Sequence, residues 1–307
     1  MEYGITRMTI GCIAFSTISM NEYNVIKTAV RGLTELFYLE EKFDLLIANY
    51  LDFETTLLDT AAHWMIHQNL DYSWFQYQRS LLVRRVVNLL TACRLYLDQT
   101  THHLSSIAGP DSLDVRAFKA SCSREYEGRL GYRVMDAVRN FVQHRGYPVH
   151  GISYPSKRVS SASGHNFLFT VTPYMEPAYF REDSSFKKPV LRELQRLGSK
   201  VDIKPMVREY IESLGTIHND VRALLKERTE SWKETYLAAI RRFSDEYPAE
   251  PQVGVAAVER IEDGTVRGEV YLFHDLIEHI EYLGKINRSV QHLSRSYVTG
   301  RTITTDV

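Results

Sequence analysis

Residues 126–145 read YEGRLGYRVMDAVRNFVQHR, and the periodicity of this stretch sets the fold class. Leu130, Val134, Val138, Phe141 and Val142 recur at the three-to-four spacing of a helix with one buried stripe, while Arg129, Arg133, Asp136, Asn140, Gln143 and His144 fall on another face. Gly146 and Pro148 follow and end the pattern. The spacing predicts one helix over Tyr126–Arg145.

Working outward, the same period governs most of the chain. Leu36, Leu39, Phe43, Leu46, Ile47, Tyr50 and Leu57 mark a helix from Asn21 to about Gln68. Leu81, Leu82, Val86, Leu89, Leu90, Cys93 and Leu97 mark another from Tyr77 to about His102. Gly109-Pro110-Asp111 breaks the pattern, and Asp111 is placed to begin a capped turn. Lys188–Gly198 reads as a short helix, Lys204–Ser244 as a very long one, and His274–Ile286 as the last before a polar tail. Three stretches read as β-structure: a strand within residues 5–19, a hairpin of Val149–Val159 and Phe167–Thr172 around Ser160–Gly164, and a second hairpin of Val253–Arg260 and Val266–Phe273 around Asp263-Gly264. The expected fold is mainly α, a helical bundle with two inserted β-hairpins and a long C-terminal helix. Its expected divisions are a strand-like segment at 1–20, the bundle at 21–150, and a hairpin and long-helix region at 151–307 packed on the bundle, the whole forming one domain or more.

The six residues Arg139-Asn140-Phe141-Val142-Gln143-His144 carry the chemistry most open to interpretation. A guanidinium stabilises charge on a phosphorane, and an imidazole moves protons near neutral pH, so the pair suits RNA cleavage without a metal. Arginine followed five residues later by histidine is weak by itself: 26 Arg and 11 His in 307 residues give about one chance occurrence, and there are two, Arg139/His144 and Arg145/His150. Requiring asparagine directly after the arginine leaves Arg139 alone. Asn140 and His144 are one turn apart on one surface. Arg139 and His144 lie about 140° apart around an ideal helix, so either the arginine stem bends round or a second copy completes the site, which predicts a symmetric dimer. The plain alternative is that both side chains cap the last carbonyls of the helix and complement its dipole. The pair Arg145/His150 straddles Gly146 and Pro148 and reads as a loop.

At Arg139, Asn140 and His144 the chain resembles the HEPN superfamily, whose ribonucleases carry an Arg-polar-x-x-x-His signature near the end of a helix in a helical bundle. The resemblance spans Tyr77 to His150, and Tyr132–Pro148 also resembles the motif helix of HEPN-like bacterial proteins of unassigned role. It implies a metal-independent endoribonuclease of a toxin–antitoxin or antiphage system. In it a ribose 2′-hydroxyl attacks the adjacent phosphate, His144 acts as general base or acid, Arg139 binds phosphate and Asn140 orients groups. Some members of the superfamily keep only a binding or scaffolding role, which stands as the alternative. The implied partners are RNA, a second copy of the chain, and an antitoxin or defence-system protein.

Charge and composition bound the rest. Net charge is −1, from 37 basic and 38 acidic residues. That argues against a general nucleic-acid coat but not against a focused cationic cleft. Arg124, Arg129, Arg133, Arg139 and Arg145 recur along one segment. Of these, Arg129, Arg133 and Arg145 are the candidate RNA contacts, against the plainer reading of a solvated face. Cys12, Cys93 and Cys122 are widely spaced, which fits buried thiols in a reducing compartment. The N-terminus shows no secretion signal and no apolar run is long enough to span a bilayer, so a cytoplasmic protein without a membrane partner is expected. No cofactor motif is present: there is no Gly-rich phosphate loop, dinucleotide fingerprint or nucleophile elbow. No metal site is expected either. His63 and His67 sit one turn apart without His-Glu-x-x-His, and a core or surface pair is the plainer reading. His102-His103 near Asp98 reads as a helix-end contact. His218-Asn219-Asp220, in the long helix, is open to lining the same cleft as the motif.

Overall fold

Ser19 starts the first helix with a reciprocal cap. The Glu22 N–H donates to Ser19 Oγ at 3.1 Å and the Ser19 N–H to Glu22 Oε2 at 2.6 Å, the capping-box arrangement that satisfies two otherwise orphaned amides. The helix that follows, α1 (Met20–Ile66), runs for 47 residues. Asp71 begins α2 (Tyr72–Ala108) by accepting the Trp74 N–H at 2.9 Å. Next come α3 (Leu113–Gly128), α4 (Leu130–His144), α5 (Pro177–Arg181), α6 (Lys188–Leu197), α7 (Ile203–Glu246) and α8 (Leu276–Ile286). The strands are β1 (Glu2–Arg7), β2 (Phe15–Ile18), β3 (Gly151–Ser153), β4 (Ser156–Ser161), β5 (Gly164–Phe169), β6 (Thr172–Met175), β7 (Val201–Asp202), β8 (Val255–Arg260) and β9 (Val266–Tyr271). This computed structural model describes residues 1–67, 70–161, 164–288, 290–296 and 298. The protein is mainly helical with a few small sheets. Among the described residues no helix is long and apolar enough to cross a membrane. The expected helix end at Gln68, the tip of the first expected hairpin at Ala162-Ser163, and residues 299–307 of the polar tail lie outside the described residues.

The chain folds as two compact units. The first comprises Met1–Asp44, Tyr96–Phe118 and Asn219–Arg288. Its sheet is antiparallel throughout, in the order β2-β1-β8-β9. The residues 5–19 expected to form one strand form two, turning where Gly11 takes φ +85°. The Asp263-Gly264 turn is as the sequence suggests: Gly264 has φ +84°, and Asp263 Oδ1 accepts the Thr265 N–H at 2.8 Å. Partway along α1, Glu40 is buried and receives a two-pronged contact from Arg222 of α7, at 2.8 and 2.6 Å. That pairing is what makes an ionised carboxylate tolerable there.

The second unit comprises Leu45–Leu95, Lys119–His218 and the described residues beyond 289. Two departures from the sequence-based expectation matter. First, the helix expected over Tyr126–Arg145 is two helices. Arg129 is extended, at φ −123° and ψ 119°, and α4 begins only at Leu130. The free amides at a helix start need acceptors, and here the Glu209 carboxylate of α7 accepts the Gly131 N–H. Second, the strand expected over Val149–Val159 is divided. Its first part, β3, pairs with β6 in the sheet β3-β6-β7, and only β4 pairs with β5 as a hairpin. Pro155 has no N–H to give a ladder, and its carbonyl instead accepts the Thr170 N–H at 3.0 Å.

The core of this unit holds α4 by its whole inner face. Tyr132, Val134, Met135, Ala137, Val138 and Phe141 are buried. Tyr132 meets Tyr210 of α7 edge-on at 5.0 Å between ring centres. At Gly131 the approach of α7 is closer still: an added Cβ would sit 2.7 Å from the Met206 carbonyl oxygen and 2.8 Å from Glu209 Cβ. Backbone cannot swing away as a side chain does, so Gly131→Ala should destabilise the protein by about 1–2 kcal/mol, the overpacking cost outweighing the gain in helix propensity. Gly284→Ala in α8, where nothing lies within 4 Å of the added carbon, should instead stabilise by up to about 1 kcal/mol. Urea denaturation of both variants checks the opposite signs.

Candidate functional site

The end of α4 is fixed by aromatic packing. Phe141 meets Phe180 of α5 edge-on at 4.9 Å, and Phe180 stacks on Phe186 at 4.7 Å. Phe180 and Phe186 are buried. After His144 the chain leaves the helix at Arg145, whose N–H donates to the Phe141 carbonyl at 2.8 Å. Phe141 is thus both the last core residue of α4 and the acceptor that closes it.

The three motif residues lie on this pinned end. Arg139 is half-buried, Asn140 and His144 exposed. Arg139 Nη1 donates to Asn140 Oδ1 at 2.9 Å, and Arg139 Nε is buried without a hydrogen-bond partner among the described residues. No hydrogen bond joins Arg139 to His144 among those residues. The structure brings Arg139 and Asn140 together and leaves His144 one turn beyond Asn140, its charge felt by the Asp183 carboxylate.

The neighbouring arginines differ sharply in what they are free to do. Arg133 grips both Glu193 oxygens at 3.1 Å and the carbonyls of Tyr126 and Glu127 at 3.1 and 2.7 Å, which leaves little of its guanidinium for a ligand. Arg129 stands among Glu125, Glu209 and Glu212 at 3.8, 3.9 and 3.4 Å, so its charge is neutralised locally. Arg145 is exposed, and among the described residues its side chain has one long ion pair, Nε to Asp183 Oδ1 at 3.7 Å.

Beside this helix end is a cavity of about 450 Å³. Arg145 and Phe141 line it from α4 and the residue that follows. Tyr147 and His150 line it from the next loop, Tyr179 and Asp183 from α5 and beyond, and Arg79 from α2. The loop pair Arg145/His150 therefore does meet at one place. The sequence carries that signal only as a second occurrence of the loose spacing, and nothing in it links Arg79 to either residue.

The cavity walls are electrostatically set. His150 Nδ1 accepts the Glu176 N–H at 2.8 Å, and its ring stacks on Tyr179 at 4.4 Å with 14° between planes. Burial holds the imidazole below its ordinary value; the nearby Arg79 charge pushes the same way and Glu176 opposes both. The Nδ1 acceptor and the lowered value agree on a neutral ring carrying its proton on Nε2. Asp183 accepts the Ser185 N–H at 2.9 Å and the Ser185 hydroxyl at 2.7 Å, and these bonds hold its carboxyl below the usual range, helped by the charges of Arg145 and His144.

Among the described residues, the other histidines singled out in the sequence do not line this cavity. His63 and His67 stack at 5.3 Å, and His63 Nε2 lies 3.8 Å from Asp59. His103 Nδ1 is 2.6 Å from Glu35 Oε2. His218 is buried and lies outside the cavity wall. Among the described residues no group of three or more His, Cys, Asp or Glu is arranged to hold a metal.

The lowered value of His150 has a consequence for stability. The unfolded chain, whose His150 titrates near 6.5, takes up its proton before the native state does. The stability contributed by the neutral native ring is full above that value and is lost as pH falls through the folded value. Asp183 works in a separate window, below the 3.8 of an ordinary carboxyl. His150→Asn keeps an acceptor for the Glu176 N–H but does not titrate, so its stability should fall less steeply than the parent's between about pH 7 and pH 5. Equal slopes by urea denaturation across that range would contradict the assignment.

Compared with protein-family models, with curated proteins and with solved structures, the chain has no match.

Proposed function

We propose that this protein is a metal-independent endoribonuclease, resembling HEPN toxins and acting as a homodimer, with its chemistry at the end of α4. The observation that carries the reading is the Arg139–Asn140 bond at 2.9 Å. It fixes one edge of a half-buried guanidinium on a rigid, core-anchored helix, one turn from an exposed imidazole. That bond supports the orienting role the sequence resemblance implies for Asn140, since a preorganised cation is worth most where charge develops.

In the proposed step the ribose 2′-hydroxyl gives its proton to His144 as its oxygen bonds to phosphorus. Arg139 pairs with the charge that builds on the non-bridging oxygens. The P–O5′ bond breaks and the leaving oxygen takes a proton from a protonated imidazolium, His144 of the other copy, which ends as the neutral ring. The products are a 2′,3′-cyclic phosphate and a 5′-hydroxyl, with no redox change and no co-reactant. The dimer enters because Arg139 and His144 are not bonded within one chain and point about 140° apart around an ideal helix.

A second reading, a binding module without catalysis, is favoured by one fact: neither Arg139 nor His144 lines the 450 Å³ cavity beside them. The experiment separates the two. Purified protein with mixed single-stranded RNAs in EDTA should yield fragments with cyclic-phosphate ends. Arg139→Ala and His144→Ala should keep the fold and lose about 10²–10⁴ in cleavage rate. Either variant cutting as fast as the parent removes this mechanism, and RNA retained without cleavage by the parent supports the binding module.

A further inference from the structure

The cavity beside α4 has a composition that the proposed cleavage chemistry does not use. Arg79 is the most informative of its residues. Its Nε is buried without a hydrogen-bond partner, and no ion pair engages its guanidinium among the described residues. Arg133 and Arg129, a short distance along the chain from the cavity's other arginine, are both paired, Arg133 with Glu193 and Arg129 with Glu125, Glu209 and Glu212. A half-buried cation left unpaired in a protein that pairs its neighbours marks a place where an anion is to be supplied from outside.

The rest of the wall narrows the choice of anion. Tyr147 and Tyr179 line the cavity yet are 65% and 53% exposed. Large rings held at an opening in this way suit flat partners. Tyr179 already stacks on His150, so one further ring would extend an existing column. Glu182 and Asp183 also face the cavity. Carboxylates there disfavour a bare phosphate ion but accept hydrogen bonds from hydroxyl and amino groups. The volume of about 450 Å³ falls in the range of small-ligand sites, roughly 300–1,000 Å³. A ligand that is anionic at one end, planar at the other, and rich in donors between them is a nucleotide.

We propose that this cavity is a nucleotide subsite that captures one unstacked nucleotide of single-stranded RNA, with Arg79 and Arg145 on a phosphate and the base against Tyr147 and Tyr179. The proposal rests on the ribonuclease reading for its substrate, and Arg145 and Phe141 make the subsite continuous with the end of α4. The carboxylates of Glu182 and Asp183 face the base edge, whose amino groups donate to them. His150, neutral with its proton on Nε2, adds a donor without adding charge. Single-stranded RNA is read in this way elsewhere in protein chemistry, by splayed bases on aromatic faces with cations along the backbone.

The test uses a fluorescein-labelled eight-nucleotide single-stranded RNA with every ribose 2′-O-methylated. It lacks the attacking hydroxyl and so reports binding alone; cleavage is followed separately on the unmodified RNA. Anisotropy titrations compare the full chain with Arg79→Met, Arg79→Lys and Tyr147→Ala, and thermal melts establish that each is folded. Arg79→Met should weaken binding about tenfold and lower the salt slope of log affinity by about one, whereas Arg79→Lys should keep that slope. Tyr147→Ala, at an exposed position that threatens no core, should weaken binding about fivefold or more. A duplex of the same sequence should bind more weakly than the single strand.

Binding by folded Arg79→Met and Tyr147→Ala equal to the parent's overturns the subsite, and leaves the ribonuclease reading standing if the parent still cuts. Arg79-dependent binding by a parent that cuts no RNA overturns the ribonuclease reading and leaves the subsite standing. Duplex and single strand binding alike overturns the use of stacked bases. No binding of the methylated RNA by the parent overturns the subsite outright.

Discussion

Everything proposed for this protein depends on how tightly α4 is held against α7. At Gly131 there is no room for a side chain beside the Met206 carbonyl and Glu209, and Glu209 answers the first free amide of α4. A helix is a rigid rod over four turns, so fixing its start and inner face fixes where its end points. The far end is secured independently, where Phe141 enters the Phe180–Phe186 stack. Between those anchors the inner residues are buried, and the outer residues have no conformational choice beyond their own rotamers. The motif is therefore displayed, not merely present.

The same packing explains which arginines have charge to spare. The chain carries nearly equal numbers of acidic and basic residues, so a cationic site must come from selective pairing rather than bulk charge. Along α4 that selection is visible. Arg129 and Arg133, near the start, are spent on Glu125, Glu193, Glu209 and Glu212 and help hold α4 to its surroundings. Among the described residues Arg139 meets only a neutral amide, Arg145 has one distant carboxylate, and Arg79 Nε is buried without a hydrogen-bond partner. Cationic character rises along the helix toward the place where the imidazoles stand. A run of evenly spaced arginines in sequence thus divides into structural and available members according to what each meets in space.

That division marks the limit of what was legible in the sequence. The mainly helical class was readable because each helix carries its own period: Leu36, Leu39, Phe43 and Leu46 are buried as their spacing requires, and so are Leu82, Val86, Leu89, Leu90 and Cys93. Turns were readable where one residue type meets a local need, as Gly264 does. What sequence could not show is pairing across distance. Periodicity did not show that β1, beyond its local pairing with β2, also pairs with β8, some 250 positions away. The carboxylate that receives the first amide of α4, Glu209, lies on another helix, and periodicity alone ran straight through the break between α3 and α4. Among the candidate residues, Arg139, Asn140 and His144 were named from their spacing on one helix. Arg79, Tyr179 and Asp183 were not, because no local pattern connects α2, α4 and α5.

The loop pair Arg145/His150 shows why spacing is a poor guide off a helix. On a helix, five residues set a defined angle, and the angle between Arg139 and His144 is unfavourable for one phosphate. In a loop, the same five residues set nothing, and the outcome depends on what receives the chain. Here Pro148 and Val149 are buried, which folds the loop back. The Glu176 amide then catches His150 Nδ1, and Tyr179 covers the ring face. Arg145 and His150 consequently share one cavity, while Arg139 and His144, on an ordered helix, stay unbonded. On the proposed function the helix pair needs a second copy of the chain, whereas Arg145 and His150 line one cavity within a single chain. The two proposals thus make different demands: the cleavage step asks for a second copy of the chain, and the nucleotide subsite asks for nothing beyond one.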